Sequence, residues 1–261
     1  QRLSLDARMA AAPDQPGAAA ALVASAPDII VAVGAPAVRA AREATTTIPI
    51  VMHGADARLL AGTSMARPGG NATGVVANTP EAEGKRIEVA AALTPPGTPV
   101  AALFHRGTDQ LAPRIAAMEA AAREADRRLL VQEWEGPQGV EAALAALAAQ
   151  GVRGVALGGT PESLRDARAI AAAARAARIA TIGQWRSMVA EGCTASHGPD
   201  FHALYARVAH FVALILRGTP AGALPIEAPT RVETVLDLRA AAALGLVAPV
   251  PLLARADEVI E

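Results

Sequence analysis

The chain has 261 residues, enough to bury a sizeable core as one large domain or two modest ones. Its formal net charge is −1 with no run of like charge, so it lacks the basic face of a duplex binder and nucleic acid is not an expected partner. Hydrophobic residues make up 52% but aromatic ones only 2%, which spreads the apolar character over many small alanine side chains.

A single cysteine, Cys193, excludes an intrachain disulfide. No apolar run approaches the roughly 20 residues that span a bilayer, so no transmembrane segment is predicted. No signal peptide is visible; the chain starts abruptly at Gln1 and reads as a processed or truncated product.

In chain order, short β-branched apolar runs alternate with alanine-rich helical ones. Strands are predicted over 2–5, 28–33, 48–52, 72–76, 99–104, 128–134, 154–157, 179–182, 193–196 and 232–236. Helices are predicted near 16–25, 36–45, 80–93, 110–126, 138–149, 162–177, 200–217 and 238–244. Continuous apolar strands separated by helices mean an α/β fold with a parallel sheet covered on both faces. There are more strands than one compact sheet comfortably holds, and Thr94-Pro95-Pro96-Gly97-Thr98 breaks the chain before a new strand. Two lobes with a cleft between their loop edges are therefore expected.

A parallel sheet presents its binding loops at the carboxyl ends of its strands. Those loops are Gly34-Ala35-Pro36, His53-Gly54-Ala55-Asp56, His105-Arg106-Gly107-Thr108-Asp109, Gly158-Gly159-Thr160-Pro161, Gly183-Gln184-Trp185 and His197-Gly198-Pro199. A different glycine-rich stretch, "MARPGGN", lies before the fourth predicted strand. Pro68 stops a helix and disfavours helical geometry at Arg67, and Gly69-Gly70 allow a tight reversal, so this turn reads as structural.

The stretch "ATTTIPIVMHGADARLLAGTSMARPGGNATGV" resembles the ABC-transporter solute-binding family that includes tryptophan- and phenylalanine-binding members. Further matches are "PDIIVAVGAPA", "GKRIEV", "SHGPDFHALYARVAHFVALILRGTPAGALPIEAPTRVETVLDLRAAAALGL" and "PLLARADEVIE", which together cover nearly the whole chain. The resemblance implies the type I periplasmic binding protein fold, with two Rossmann-like α/β lobes joined by hinge crossings and closing on a small ligand. Mapped on this chain, residues 1–78 and 193–222 form one lobe and 79–192 and 223–261 the other, with crossings near Asn78, Gly192 and Ala223. Members begin with an extra strand, loop and helix before the segment matching Arg2 to Met9. Their absence here implies a truncated chain or a piece supplied in trans.

The implied ligand contacts come from both sets of loops: Gly34, Ala35, Pro36, His53, Gly54 and His197 on one lobe, His105, Arg106, Thr108, Asp109, Gly159, Thr160, Gln184 and Trp185 on the other. Trp185 either stacks on an aromatic or apolar ligand or packs against the hinge, and truncation of it to alanine is expected to weaken binding with little loss of stability. Trp134 reads as surface or hinge packing. Arg106 has the planar fork that clamps a carboxylate, or is a solvated loop residue, and Thr108 offers a hydroxyl. The Gly34-Ala35-Pro36 loop matches the family's Gly-Thr-Pro, but Ala35 has lost the hydroxyl; backbone donors of the following helix remain to hold an anion. His53, His105 and His197 share no local metal-ligand motif, so no metal or cofactor is expected. His202 and His210 read as surface or packing residues, Arg86 and Glu88 as a solvated face, and "RADEVIE" as a terminal docking helix.

These features define a binding module that captures a small organic solute, an amino acid or an aromatic or other carboxylate, outside the cytoplasm and in the periplasm where there is one. It would hand the solute to the permease and ATPase subunits of an ABC importer. A ligand-sensing domain of a signalling system is the alternative. An enzyme is the third reading: "GCTASHG" is similar to the Gly-Cys-Thr of aspartate/glutamate racemases, with Cys193 as nucleophile or base. Such racemases need two thiols and this chain has one.

Overall fold

The computed structural model describes residues 3–54, 64–77, 79–108 and 111–261. They form two compact units, Gln1–Ala77 with His202–Pro229 and Asn78–Phe201 with Thr230–Glu261, so the chain passes from one to the other three times.

The first unit is built from α1 (Gln15–Ala24), β1 (Ile30–Val33), α2 (Ala35–Ala44), β2 (Ile50–His53), β3 (Ala72–Val75), most of the helix Phe201–Leu216, and a short strand Ile226–Glu227. Its sheet has the order β1-β2-β3 and then Ile226–Glu227, every pair parallel. Ile50, Val51, Met52 and His53 are all buried, as the strand of a sheet covered on both faces must be. Of the strand predicted over 2–5, the described residues 3–5 form none. Leu3 and Leu5 are 78% and 90% exposed in irregular chain, and no strand among the described residues pairs with them.

The "PGGN" turn is pinned in place by the first unit itself. Gly69 and Gly70 adopt φ of +68° and +59°, the left-handed region that glycine enters without penalty. The Gly69 N–H donates to the Gly222 carbonyl at 3.0 Å, and a Cβ on Gly222 would stand 2.4 Å from the Gly70 carbonyl oxygen. The Asn71 amide donates to the carbonyls of Thr45 and Ile48, fastening the "TTT" turn ahead of β2. The turn is therefore a packing joint between three segments distant in sequence.

The second unit follows the βα alternation: α3 (Pro80–Leu93), β4 (Val100–His105), α4 (Leu111–Glu124), β5 (Leu129–Trp134), α5 (Gly136–Ala149), β6 (Gly154–Leu157), α6 (Pro161–Arg165), α7 (Ala167–Ala176), β7 (Ala180–Gly183), α8 (Arg186–Ala190) and β8 (Ala195–Pro199). α9 is the helix Phe201–Leu216 and β9 the strand Ile226–Glu227; β10 (Val232–Asp237), α10 (Leu238–Ala243), α11 (Val250–Leu253) and β11 (Glu258–Ile260) complete the chain. The seven-stranded sheet has the order β11-β10-β8-β7-β6-β4-β5. Along β4 the residues Val100, Ala102 and Phe104 pack in one core with Ile87 and Met118, while Ala101 and Leu103, pointing the other way, are equally buried.

Two departures from expectation follow from pairing that no local pattern encodes. β10 runs antiparallel to β8, with Thr234 opposite His197, so the sheet is not wholly parallel. The terminal "RADEVIE" segment is a strand rather than a docking helix, since β11 completes the sheet alongside β10. β8 also corrects the expected division of the chain. It pairs with β7 and β10 in the seven-stranded sheet, so residues 193–201 belong with the second unit, not the first. The expected crossing at Asn78 lies outside the described residues.

Candidate functional site

At the carboxyl edge of the first unit's sheet, consecutive strands hand their ends to one another. The Gly34 N–H donates to the His53 carbonyl at 2.9 Å and the Gly54 N–H to the Val75 carbonyl at 3.0 Å. Gly34, with φ +82°, turns the chain into α2, whose first turn carries Ala35 and Pro36 and has no side-chain cap. His53 is 2% exposed, and its ring stacks on Tyr205 of α9 with centroids 4.1 Å apart and planes inclined by 30°. Burial lowers the His53 pKa to about 4, so the imidazole is neutral at physiological pH. Gly34, Ala35, Pro36, His53 and Gly54 are thus brought to one edge. Tyr205 joins them, although sequence reasoning passed over it. Its signal was being the sole tyrosine of a chain poor in aromatics. A pocket of about 280 Å³ on this unit is lined instead by Val38, Arg39, Arg42 and Glu43 along α2.

The second unit places His197, Gln184, Gly159 and His105 in that order along its own carboxyl edge, because β8, β7, β6 and β4 are successive neighbours. Thr160 caps α6, its hydroxyl accepting the Ser163 N–H at 3.2 Å, while Gly158 N–H donates to the Leu103 carbonyl at 2.9 Å. A Cβ on Gly158 would lie 2.4 Å from Cδ1 of Phe104, so only glycine lets the loop cross that ring. Gln184 is 2% exposed beside Trp185.

Several expectations change at this edge. Trp185 is only 7% exposed and meets Phe201, the first residue of α9, edge to face at 5.3 Å. It packs in the core of the second unit, so removing it costs stability. Trp134 is likewise core, 2% exposed, with His105 edge-on at 4.8 Å. Arg106 is exposed and pairs with Glu135 at 3.1 Å, a solvated ion pair of small energetic weight. The Thr108 hydroxyl donates to the His105 carbonyl within its own turn. Asp109 lies outside the described residues.

His197 is held at three points. Its Nδ1 lies 2.8 Å from the Thr234 hydroxyl, its carbonyl accepts Nη1–H of Arg86 at 3.2 Å, and its strand is paired on both sides. Burial first, then the charges of Arg86 and Lys85, lower its pKa to about 4. Arg86 itself overturns the solvated-face expectation. It is wholly buried, and donates from Nη2 to Glu83 at 3.0 Å. Glu88, the other half of that expectation, is partly exposed and pairs with Lys85. Cys193 is fully buried, and burial pushes its thiol up to about 12, so no thiolate is present to act as a nucleophile. Among the described residues, no group of three or more His, Cys, Asp or Glu is placed to hold a metal ion. No helix there is long and apolar enough to cross a membrane.

Two α/β units with glycine-rich loops at the carboxyl ends of parallel-rich sheets define the type I periplasmic binding protein architecture. The profile of the ABC transporter substrate binding protein family matches residues 8–260, and the chain belongs to that family. Among solved structures, a conserved domain protein from Vibrio cholerae is 24% identical with a TM-score of 0.86, the match covering 95% of this chain and 84% of that one. An ABC domain in complex with L-Trp from Streptococcus pneumoniae is 20% identical with a TM-score of 0.85, covering 95% and 86%. A ligand-free, open substrate-binding protein with adhesive properties from Clostridium difficile is 17% identical with a TM-score of 0.64, covering 95% and 83%. The comparison with curated proteins finds no match.

Proposed function

We propose that this chain is the extracytoplasmic solute-binding component of an ABC importer, capturing a small organic ligand and delivering it to a membrane permease with its ATPase. The observation that carries this reading is the convergence of Gly34, His53 and Tyr205 on one carboxyl edge, and of His105, Gly159, Gln184 and His197 on another. Such edges are where open α/β sheets receive ligands. Family membership supports the transport role, and non-enzymatic binding is the family's business. The L-Trp bound to the Streptococcus relative makes amino acids and aromatic carboxylates the first class to test. Ala35 removes a hydroxyl from the first loop, so recognition of an amino acid would draw on backbone N–H groups of α2 instead.

The mechanism follows from linkage. A ligand that contacts both units shifts their open–closed equilibrium by its differential affinity for the two states. The racemase reading fails on chemistry, since a buried, protonated Cys193 has neither a partner thiol nor a charge to attack with. The test is a thermal-shift screen of amino acids, aromatic acids and small carboxylates. A compound that binds only the folded state raises the melting temperature, by the equivalent of about 2.7 kcal/mol at one hundred times its Kd. A screen in which no small solute of any charge shifts the melting temperature would contradict the proposal.

A further inference from the structure

Behind the carboxyl edge of the second unit lies a cluster that, among the described residues, sets two arginines against one carboxylate. Glu83 and Arg86 sit on the first turns of α3, and Arg114 on the first turn of α4. Glu83 is 1% exposed, Arg86 0% and Arg114 8%. Both arginines spend donors on the single carboxylate: Arg114 reaches Glu83 Oε2 from Nε at 2.7 Å and Oε1 from Nη2, and Arg86 reaches Oε1 from Nη2 at 3.0 Å. Two guanidiniums on one carboxylate leave one positive charge in surplus, in a site screened from water. Burial pulls the Arg86 pKa down to about 10, with Glu83 supporting its charge and Arg114 opposing it, and it stays protonated at neutral pH.

Among the described residues, two donor positions lack a partner. The Nε of Arg86 is buried with no hydrogen-bond partner among the described residues. Arg114 commits Nε and Nη2 to Glu83, leaving Nη1 and the tenth of its side chain that is still exposed. The cluster is wired to the edge loops at both ends. Arg114 lies over the Phe104 ring at 4.9 Å, and that ring lies under Gly158. Arg86 grips the backbone carbonyl of His197. A purely structural strut needs one cation per carboxylate, because a buried charge without a counter-charge is costly. Among the described residues, Arg86 and Arg114 form ion pairs with Glu83 alone.

Resting on the reading that this edge receives a solute, we propose that the second unit selects monoanionic ligands, carboxylates above all, through the open face of Arg114, with Glu83 fixing its fork and Arg86 supplying the surplus positive charge. Arg114 touches the ligand; Glu83 and Arg86 position and polarise it. The exposed Arg106, already satisfied by Glu135, is not the clamp.

The test pairs each carboxylate with its neutral amide: benzoate with benzamide, indole-3-acetate with indole-3-acetamide, N-acetyl-L-tryptophan with N-acetyl-L-tryptophanamide. Affinities are read by calorimetry at fixed ionic strength on the whole chain. The carboxylates are expected to bind about tenfold or more tightly than their amides, the range of a charge-assisted hydrogen bond. Arg86→Met and Arg114→Met each leave Glu83 with one arginine, and each should reduce that preference to within about threefold. Arg86→Lys keeps the charge and should retain most of it. Equal binding of acids and amides by the unaltered protein overturns the inference without any variant having to fold. Binding confined to a neutral solute such as ribose overturns it too while leaving solute capture standing, whereas a protein that binds nothing loses both.

Discussion

Substituting Gly222 by alanine should unseat the turn that holds the first unit together. A Cβ there would lie 2.4 Å from the Gly70 carbonyl oxygen and 2.5 Å from the Gly69 carbonyl carbon, both backbone atoms with no rotamer to escape into. Forcing such atoms apart costs about 1–3 kcal/mol. Separation of the two segments also loses the Gly69–Gly222 hydrogen bond, worth about 1 kcal/mol. Together these give about 2–4 kcal/mol, or a fall of about 8–16 °C in the melting temperature of a unit of this size. Gly17→Ala is the control, since it adds a methyl to α1 where nothing lies within 4 Å and should stabilise by a few tenths to 1 kcal/mol. Calorimetric melting of both variants measures the difference. If Gly222→Ala melts with the unaltered protein, the turn is not the joint described above.

Other consequences are independent of this one. Trp185→Ala should cost about 3–5 kcal/mol, because it empties a core position against Phe201, and urea titration would show it. Both His53 and His197 have folded-state pKa values lowered to about 4, below the unfolded value near 6.5. Their contribution to stability is therefore complete above about pH 6.5 and lost as pH falls toward 4; His53→Gln should flatten that slope in melts across the range. Cys193 should resist a thiol reagent in native buffer and react at once in denaturant, with native labelling at the denatured rate counting against its burial. Arg106→Ala should change stability by less than about 1 kcal/mol and leave carboxylate affinity unaltered, in contrast to Arg114→Met.

What could be read from the sequence was whatever a local pattern determines. β-branched runs such as "PVAALF" and "DIIVAV" gave strands within one or two residues of β4 and β1, and α3 falls where Pro80 and the Thr79 cap place it. What escaped was fixed by pairing across the chain. β9 has two residues and exists because β3 is beside it; β11 looks helical by its charge pattern and is a strand because β10 is free on that side. The loops named as candidate contacts were legible from strand ends alone, since parallel topology determines where those ends gather. Arg86 was not legible, because a charged residue reads as exposed unless its partner is known, and the arginine that shares its carboxylate is 28 positions away, at Arg114. Tyr205 was hidden for a related reason: it sits mid-helix, and only the packing of α9 brings it to His53.

Amide hydrogen exchange with and without a solute found by the thermal screen tests the account most directly, because it locates the ligand without assuming its identity. The account predicts slowed exchange at Gly34, His53-Gly54, Gly158 to Thr160, Glu162-Ser163 and Gln184, the amides nearest the carboxyl ends of β1, β2, β6 and β7. Slowed exchange confined to Arg39–Glu43 on α2, or to the loops at the opposite ends of the strands, would contradict it.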